Sequence, residues 1–149
     1  MENGIELYNF IAGSLMASGI ELQKQDICSY SPLTLAYIGD GVYELVVRSM
    51  VVTEGNAPVN KLHKRSSELV KAETQAKMAL HFTENEILDE EELRILKRGR
   101  NAQSYTKAKH ATMSDYRWAT GFEALMGYLY LSGRSSRMME LIGIGLNNV

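Results

Sequence analysis

Apolar residues at helical spacing cover most of this chain and predict an all-α fold. The clearest run spans residues 31–53 and opens with a Ser-Pro pair, the residue types preferred at a helix N-cap and first turn. Its main polar members, Asp40, Glu44 and Arg48, recur every four residues, so they share one face of a helix. The run therefore predicts a buried helix that carries one polar stripe.

Five further segments also have helical patterns. They are residues 3–22, 58–82, 89–98 and 116–131, and a last helix that Ser135 or Ser136 would cap and that runs to about Gly145. Thr83-Glu84-Asn85-Glu86 fits a capping box, Gly99 is expected to end the helix over 89–98, and polar residues 101–114 predict a loop. No segment has the period-two alternation of a strand, which favours a single helical domain over residues 1–149.

Composition narrows the class of protein without indicating an activity. The chain has 149 residues, 45% of them hydrophobic and 23% charged, which is ordinary for a globular protein. Its one cysteine excludes an internal disulfide, and no Cys/His cluster has the spacing of a zinc site. The acidic N-terminus lacks the basic start of a secretory signal, and the uncharged residues 7–20 are too few to span a bilayer. We therefore expect a soluble, cytoplasmic protein with no membrane association.

Charge is unevenly distributed along the chain, although the net charge is only −2. Six basic residues and no acidic one lie between Leu93 and Ser114, directly after an acidic block over residues 84–92. Because local potential governs phosphate binding, we expect a nucleic-acid contact here, with a solvated helix face as the alternative. The candidate contact residues are Lys97, Arg98, Arg100, Lys107 and Lys109, followed by His63, Lys64 and Arg65 from a second basic group.

Two carboxylates, Asp40 and Glu123, lie inside apolar runs that contain nearby glycines. An ionised carboxylate in such surroundings costs roughly several kcal/mol unless a cation, strong donors or a raised pKa compensates. Two interpretations are open at this point. Each carboxylate belongs to a structural ion pair, with Arg48, Arg117 or a basic loop as a partner, or the two share a site for Mg²⁺, which prefers carboxylate and water oxygens.

Four motifs follow one another over residues 31–131. They are Leu35-Ala36-Tyr37-Ile38-Gly39-Asp40-Gly41-Val42-Tyr43-Glu44, Leu62-His63-Lys64-Arg65-Ser66-Ser67, Leu96-Lys97-Arg98-Gly99-Arg100-Asn101-Ala102, and the run from Tyr116 to Leu131. In this order they resemble the ribonuclease III catalytic domain, and its Mini-ribonuclease III branch most closely. One Gly-Asp pair would mean little, whereas four ordered motifs are specific. The resemblance implies an all-α bundle of the ribonuclease III type.

The resemblance also implies which residues act. The metal-binding aspartate of the family falls on Asp40 and its late-helix glutamate on Glu123, so these two are the implied catalytic and metal-binding residues. Larger members of the family carry two more acids, where this chain has Ala36 and Thr120, and the Mini branch is similar to this chain in that respect. The number of metal ions is therefore left open. Supporting roles are left for Glu44 and Arg117.

The implied reaction is hydrolysis of double-stranded RNA to 5′-phosphate and 3′-hydroxyl ends, with Mg²⁺ as cofactor and Mn²⁺ as a substitute. The implied substrate is the 23S ribosomal RNA precursor, with a ribosomal protein as a further partner on it. A two-fold homodimer would present one site to each strand. The expected interface is formed by Tyr37, Tyr43 and Val47 of the helix predicted over residues 31–53. We expect no room before Val149 for the double-stranded-RNA-binding domain of larger relatives.

Two other functions stay open on the sequence alone. The first is a non-catalytic RNA-binding or ribosome-assembly module on the same fold, because acids are absent at Ala36 and Thr120. The second is a helical interaction protein with no role in RNA metabolism. Cleavage of a perfect RNA duplex in the presence of Mg²⁺ separates the enzyme from both of these alternatives.

Overall fold

A computed structural model describes residues 6–102 and 112–149 of the chain and has seven α-helices in these two ranges. The helices are α1 (Leu7–Ala17), α2 (Pro32–Thr53), α3 (Val59–Val70), α4 (Ala72–Glu84), α5 (Glu90–Asn101), α6 (Met113–Leu131) and α7 (Ser135–Leu146), with one 3-10 turn at Ile27–Ser29. The described residues contain no strand, so the predicted all-α fold is confirmed. Within the same ranges, no helix is both long enough and apolar enough to cross a membrane.

Helix α6 lies at the centre of the molecule and packs against α1, α2, α4, α5 and α7. The core around it is built on three aromatic side chains that are fully buried, Tyr43, Phe82 and Phe122. The Tyr43 and Phe122 rings meet edge to face with centroids 5.0 Å apart. The Phe82 ring stacks on the Phe122 ring with centroids 6.3 Å apart. Burial of each such side chain contributes about 1.5–3 kcal/mol, so this cluster fixes α2 and α4 against α6.

Helix α2 forms as the sequence pattern predicts. The Ser31 hydroxyl accepts a hydrogen bond from the backbone N–H of Thr34 at 3.1 Å, and Pro32 occupies the first helical position, where its missing N–H costs nothing. The helix continues for 22 residues to Thr53. The predicted span of 31–53 is therefore confirmed.

The prediction of a single helix over residues 58–82 is wrong, because the helix is interrupted at Lys71. This residue is extended, with φ −67° and ψ 156°, between α3 and α4. Side chains then satisfy backbone carbonyls in the last turn of α3: Thr74 Oγ1 donates to Glu68 O at 2.7 Å, and Tyr43 Oη donates to Leu69 O at 2.8 Å. No Pro or Gly marks the break, which is why helical periodicity does not reveal it.

The predicted capping box at residues 83–86 is also wrong. The Thr83 hydroxyl donates back to the Ala79 carbonyl at 2.9 Å, inside α4. The box forms at the start of α5, where the Glu92 N–H donates to Asp89 Oδ1 at 2.8 Å and the Asp89 N–H donates to Glu92 Oε1 at 3.0 Å. Both segments have an acid in the last position of the box, so local sequence alone does not choose between them.

The buried carboxylate of Glu92 ties α5 to α7. Its side chain is 0% exposed and forms ion pairs with Arg137 at 2.8 Å and with Arg134 at 3.3 Å. The hydrogen bond from Arg137 is the main reason that the pKa of Glu92 lies below its ordinary value, and burial opposes it. A buried pair of this kind is costly to break because removal of one partner leaves the other charge unpaired.

The end of α5 and the start of α7 differ from the predicted ones. Helix α5 does not end at Gly99 but continues to Asn101. Gly99 packs against α6, where an added Cβ would lie 2.8 Å from the Ala124 Cβ. Neither Ser135 nor Ser136 caps α7, which begins after Arg134. The Ser136 N–H and hydroxyl donate instead to the carboxylate of Glu6 at 2.9 and 2.8 Å.

Two further predicted boundaries are corrected. The helical pattern over residues 3–22 is helical only at Leu7–Ala17 within the described part of the chain. Helix α6 begins at Met113, three residues before the predicted start, because the Thr112 hydroxyl accepts a hydrogen bond from Asp115 N at 3.0 Å. Most of the predicted loop over 101–114 lies outside the described residues.

Candidate active site

The crossing of α2 over α6 depends on two glycines that let the backbones touch. A Cβ added at Gly39 would overlap the backbone carbonyl of Glu123 and would lie 2.8 Å from the backbone nitrogen of Gly127. A Cβ added at Gly127 would overlap the Leu35 carbonyl in the same way. Side chains next to these glycines are therefore held close together across the two helices. Asp40 directly follows Gly39, so it is brought to Glu123.

Asp40 and Glu123 form a close pair of carboxyl groups at this crossing. Asp40 is exposed and Glu123 is half-buried. Burial, followed by the negative charge of Asp40 and a hydrogen bond shared with it, raises the pKa of Glu123 to about 8. The nearby Gln75 side chain opposes this rise in the pKa of Glu123. The pair thus has one acid that holds its proton near neutral pH because it is buried beside a second acid.

Structural ion pairing does not explain these two carboxyl groups. Among the described residues neither Asp40 nor Glu123 takes part in an ion pair. Arg48, one of the partners considered from the sequence, pairs with Glu44 at 2.9 Å. Glu44 is therefore engaged one turn along α2, and Arg117 lies exposed on α6.

The positions at which larger relatives carry further acids are filled without a new ligand. Ala36 and Thr120 are both buried, at 7% exposure each. The Thr120 hydroxyl donates to the Tyr116 carbonyl at 3.0 Å within α6. No group of three or more His, Cys, Asp or Glu side chains is placed to hold a metal ion in the part of the chain that the structure describes. The carboxyl pair is thus the acidic centre of the site.

The pair fits Mg²⁺ by its donor chemistry. Mg²⁺ takes oxygen ligands, keeps several waters and is bound in proteins through one or two carboxylates together with substrate phosphate. Asp40 and Glu123 supply two carboxyl groups, and the raised pKa of Glu123 reflects its burial and the neighbouring charge of Asp40. The residues that could hold the ion are therefore these two.

Basic residues on α5 face away from the core of the molecule. Lys97 and Arg98 are exposed, on the side of α5 opposite to the buried Leu96 and Gly99. Arg100 is half-buried, and its guanidinium lies 5.0 Å from the centroid of the Trp118 ring. This stacking joins the end of α5 to α6. Two further predicted contacts, Lys107 and Lys109, lie outside the described residues.

The second basic group lies on α3, separate from α5 in the chain. His63, Lys64 and Arg65 are all exposed. Arg65 is paired with Glu54 at 3.3 Å, across the turn that joins α2 to α3. Its charge is thereby partly neutralised, which makes Arg65 a weaker candidate for a phosphate contact than Lys64.

Sequence patterns missed one residue of the site, Gln75. It is buried and sits at the start of α4, next to the carboxyl pair. A glutamine in a helical run is ordinary, and only the break at Lys71 brings it to this place. The one signal that could have identified Gln75 is a long polar side chain on the apolar face of a helix.

The residues around the carboxyl pair match a known protein family. The sequence profile described as the ribonuclease III domain matches residues 33–134 of this chain, which include both carboxylates. The chain belongs to the ribonuclease III family. The resemblance seen in the sequence motifs is therefore confirmed.

Similar proteins of known classification agree with this assignment. A protein of Clostridium tetani named Mini-ribonuclease 3 is 44% identical over 130 residues, which cover 87% of this chain and 85% of that protein. A Mini-ribonuclease 3 of a Thermoanaerobacter species is 45% identical over 125 residues, or 84% of this chain and 87% of that protein. This ribonuclease III family member thus belongs to the Mini branch, and it is an endoribonuclease for double-stranded RNA, as predicted.

A solved structure supports the same fold. The crystal structure of a protein from Fusobacterium nucleatum superposes with a TM-score of 0.73 at 30% sequence identity. The match covers 83% of this ribonuclease chain and 98% of the other. The ribonuclease III-type helical fold is therefore found in an experimental structure of a similar chain.

Proposed function

We propose that Asp40 and Glu123 are the catalytic centre of this endoribonuclease and that they bind Mg²⁺, with Mn²⁺ as a substitute. The observation that carries the proposal is the close pair of carboxyl groups at the α2–α6 crossing, with no ion-pair partner among the described residues. The chemistry that Mg²⁺ supplies when bound is activation of the attacking water and neutralisation of charge on the phosphodiester. The test is loss of Mg²⁺-dependent duplex cleavage when Asp40 is replaced by asparagine.

The two carboxyl groups have different parts in this proposal. Asp40 is exposed, so it reaches the side of the site from which a phosphodiester approaches. Glu123 is half-buried on the central helix and anchors the other side of the ion. Because the pKa of Glu123 is about 8, the bound cation must replace a proton there at neutral pH. The products are ends with 5′-phosphate and 3′-hydroxyl groups.

The basic residues of α5 are proposed to position the RNA duplex. Support comes from the exposure of Lys97 and Arg98 on a helix that packs directly on α6, the helix of Glu123. Double-stranded RNA is recognised chiefly through its shape, its phosphates and its 2′-hydroxyl groups. Lys107 and Lys109, and more weakly His63, Lys64 and Arg65, are proposed as further contacts. Glu44 and Arg117 keep only a supporting role in the proposal.

Removal of Lys97 and Arg98 together is expected to flatten the salt dependence of duplex binding. Each phosphate contact contributes about one unit to the slope of log K against log salt, so the Lys97→Ala/Arg98→Ala variant should lose about two units. The matched control is Arg94→Ala on the same helix, because Arg94 is paired with Glu91. Binding is measured at several salt concentrations in Ca²⁺, without cleavage. An unchanged slope in the double variant would show that these residues only solvate α5.

The 23S ribosomal RNA precursor is the proposed substrate, cut in the cytoplasm with a ribosomal protein as a further partner. Support comes from the ordered motifs over residues 31–131, which resemble a branch that matures this RNA. The basic surface of α5 is suited to a duplex backbone, and that surface alone does not distinguish one duplex from another. Recognition of one site in a large precursor therefore needs RNA shape or a bound protein.

A two-fold homodimer is also proposed, through the outer face of α2. The expected contacts must be corrected, because Tyr43 and Val47 are 0% exposed and belong to the core. Tyr37 is 82% exposed and lies in a stripe of every fourth residue with Leu33 and Leu45, both also exposed. An exposed apolar stripe of this kind is typical of a surface that another chain covers.

Sedimentation tests the dimer directly. We expect the wild-type chain to sediment as a dimer at micromolar concentration and the Tyr37→Glu variant to shift to a monomer, because a charge would be buried in the interface. Phe10→Glu is the matched control, since Phe10 is an exposed aromatic residue on a different helix, α1. A wild-type monomer, or a Tyr37→Glu dimer of unchanged affinity, would contradict this interface.

A further inference from the structure

The Gln75 side chain is a buried amide with one unsatisfied oxygen. It is 2% exposed, and its Nε2 donates to the Val70 carbonyl at 3.0 Å. Its Oε1 has no hydrogen-bond partner among residues 6–102 and 112–149. A buried polar atom left unpaired costs about 1–3 kcal/mol, so an oxygen kept in this state calls for a specific reason.

The end of α3 decides which way this amide faces. Helix α3 ends at Val70, and the carbonyl of that residue takes its hydrogen bond from Gln75. Exchange of the amide nitrogen and oxygen would bring two acceptor oxygens together, so the nitrogen faces Val70 and the oxygen faces elsewhere. Thr74 binds the same turn in a similar way, through the Glu68 carbonyl at 2.7 Å.

The same amide group lies against the catalytic glutamate. The Gln75 side chain is near enough to the Glu123 carboxyl to lower its pKa, whereas Thr74 is not among the groups that act on that carboxyl. Because the nitrogen and oxygen of an amide share one carbon, Oε1 is also close to the Glu123 carboxyl. An uncharged oxygen next to two carboxylates is the donor set that hard cations prefer.

We infer that Gln75 completes the cation site of this enzyme: Nε2 holds Glu123 in place, and Oε1 provides a third oxygen donor, directly or through a bridging water. The inference rests on the proposed function, in which Asp40 and Glu123 bind the ion. It accounts for a site in which Ala36 and Thr120 offer no acid. A neutral donor adds no repulsion to two carboxyl groups that already repel each other.

The experiment is titration of the full chain with Mn²⁺ by calorimetry, without RNA. Gln75→Met keeps the length of the side chain and removes both polar atoms, and we expect it to weaken Mn²⁺ binding by about tenfold, as is usual for groups that support metal ligands. Gln75→Glu restores an oxygen donor but not the Nε2 donor, so it should bind Mn²⁺ more tightly than Gln75→Met does. Thr74→Val is the matched control, since it removes a hydrogen bond to the same turn of α3 and should leave the Kd unchanged.

Asp40→Asn separates the failure of this inference from that of the proposed function. If Asp40→Asn binds Mn²⁺ like the wild type, or the wild type binds none, the proposed cation site is wrong and the role of Gln75 falls with it. If Asp40→Asn abolishes binding while a folded Gln75→Met keeps the wild-type Kd, only the role of Gln75 is overturned. Should Gln75→Met fail to unfold cooperatively, Gln75→Asn decides the question, because it keeps the amide but withdraws it by one methylene, and a wild-type Kd in this variant also overturns the inference.

Discussion

Replacement of Asp40 by asparagine is expected to lower Mg²⁺-dependent cleavage of an RNA duplex by about 10³-fold or more, as is usual when a group that holds transition-state charge is removed. The variant keeps the shape of the side chain and removes the charge that faces Glu123. Since this charge raises the pKa of Glu123, its removal should leave the thermal stability of the metal-free protein unchanged or higher. Loss of activity would then not be loss of folding.

Glu44→Gln is the matched control for this prediction. Glu44 lies on the same helix, one turn beyond Asp40, and its carboxylate is paired with Arg48 at 2.9 Å. We expect its replacement to change cleavage by less than about tenfold, because an exposed pair of this kind contributes little. Single-turnover cleavage at saturating Mg²⁺ is the measurement for both variants. A near-wild-type cleavage rate in Asp40→Asn would contradict the assignment of Asp40 and Glu123 as the catalytic pair.

The acidic residues of the proposed site stand out in the sequence because they interrupt a pattern of apolar residues. Asp40 and Glu123 are charged residues in apolar helical runs, and such a break has a cost that needs an explanation. Their glycine neighbours indicated close approach, and Gly39 does contact the backbone of Glu123. What the sequence left open was the choice between ion pair and metal site, because the partners of a buried charge come from distant segments.

Other features were beyond sequence reasoning for a physical reason. The break at Lys71 depends on Tyr43, Thr74 and Gln75, whose side chains take over carbonyls at the end of α3. These bonds join separate helices or cross the break itself, so helical periodicity carries no trace of them. The position of Gln75 beside Glu123 follows from that break, and it was missed for the same reason.

The sequence also does not separate exposed from buried residues in the expected dimer interface. Tyr37 and Tyr43 are six positions apart on α2 and are both tyrosines in an apolar run. The first is 82% exposed and the second 0% exposed, because only Tyr43 meets Phe122 of the central helix. A run that is apolar on most sides does not reveal which of its faces is covered.

Replacement of Gly39 by alanine is expected to lower the free energy of unfolding by about 3 kcal/mol or more. The added Cβ would overlap the Glu123 carbonyl, which belongs to the backbone of the central helix and cannot rotate away. Helices α2 and α6 must then separate, and this movement also draws Asp40 away from Glu123. We therefore expect weaker Mn²⁺ binding in the fraction that stays folded. Urea unfolding and Mn²⁺ titration measure the two effects.

Gly143→Ala is the matched control for Gly39→Ala. Gly143 is an exposed glycine within α7, and a Cβ added there meets no atom within 4 Å. Alanine at such a helical position should raise stability by about 0.5–1 kcal/mol, because it restricts the unfolded chain more than glycine does. Both substitutions replace glycine by alanine, and their effects on the free energy of unfolding should have opposite signs. If Gly39→Ala were as stable as the wild type, close contact between α2 and α6 would not be what holds the carboxyl pair together.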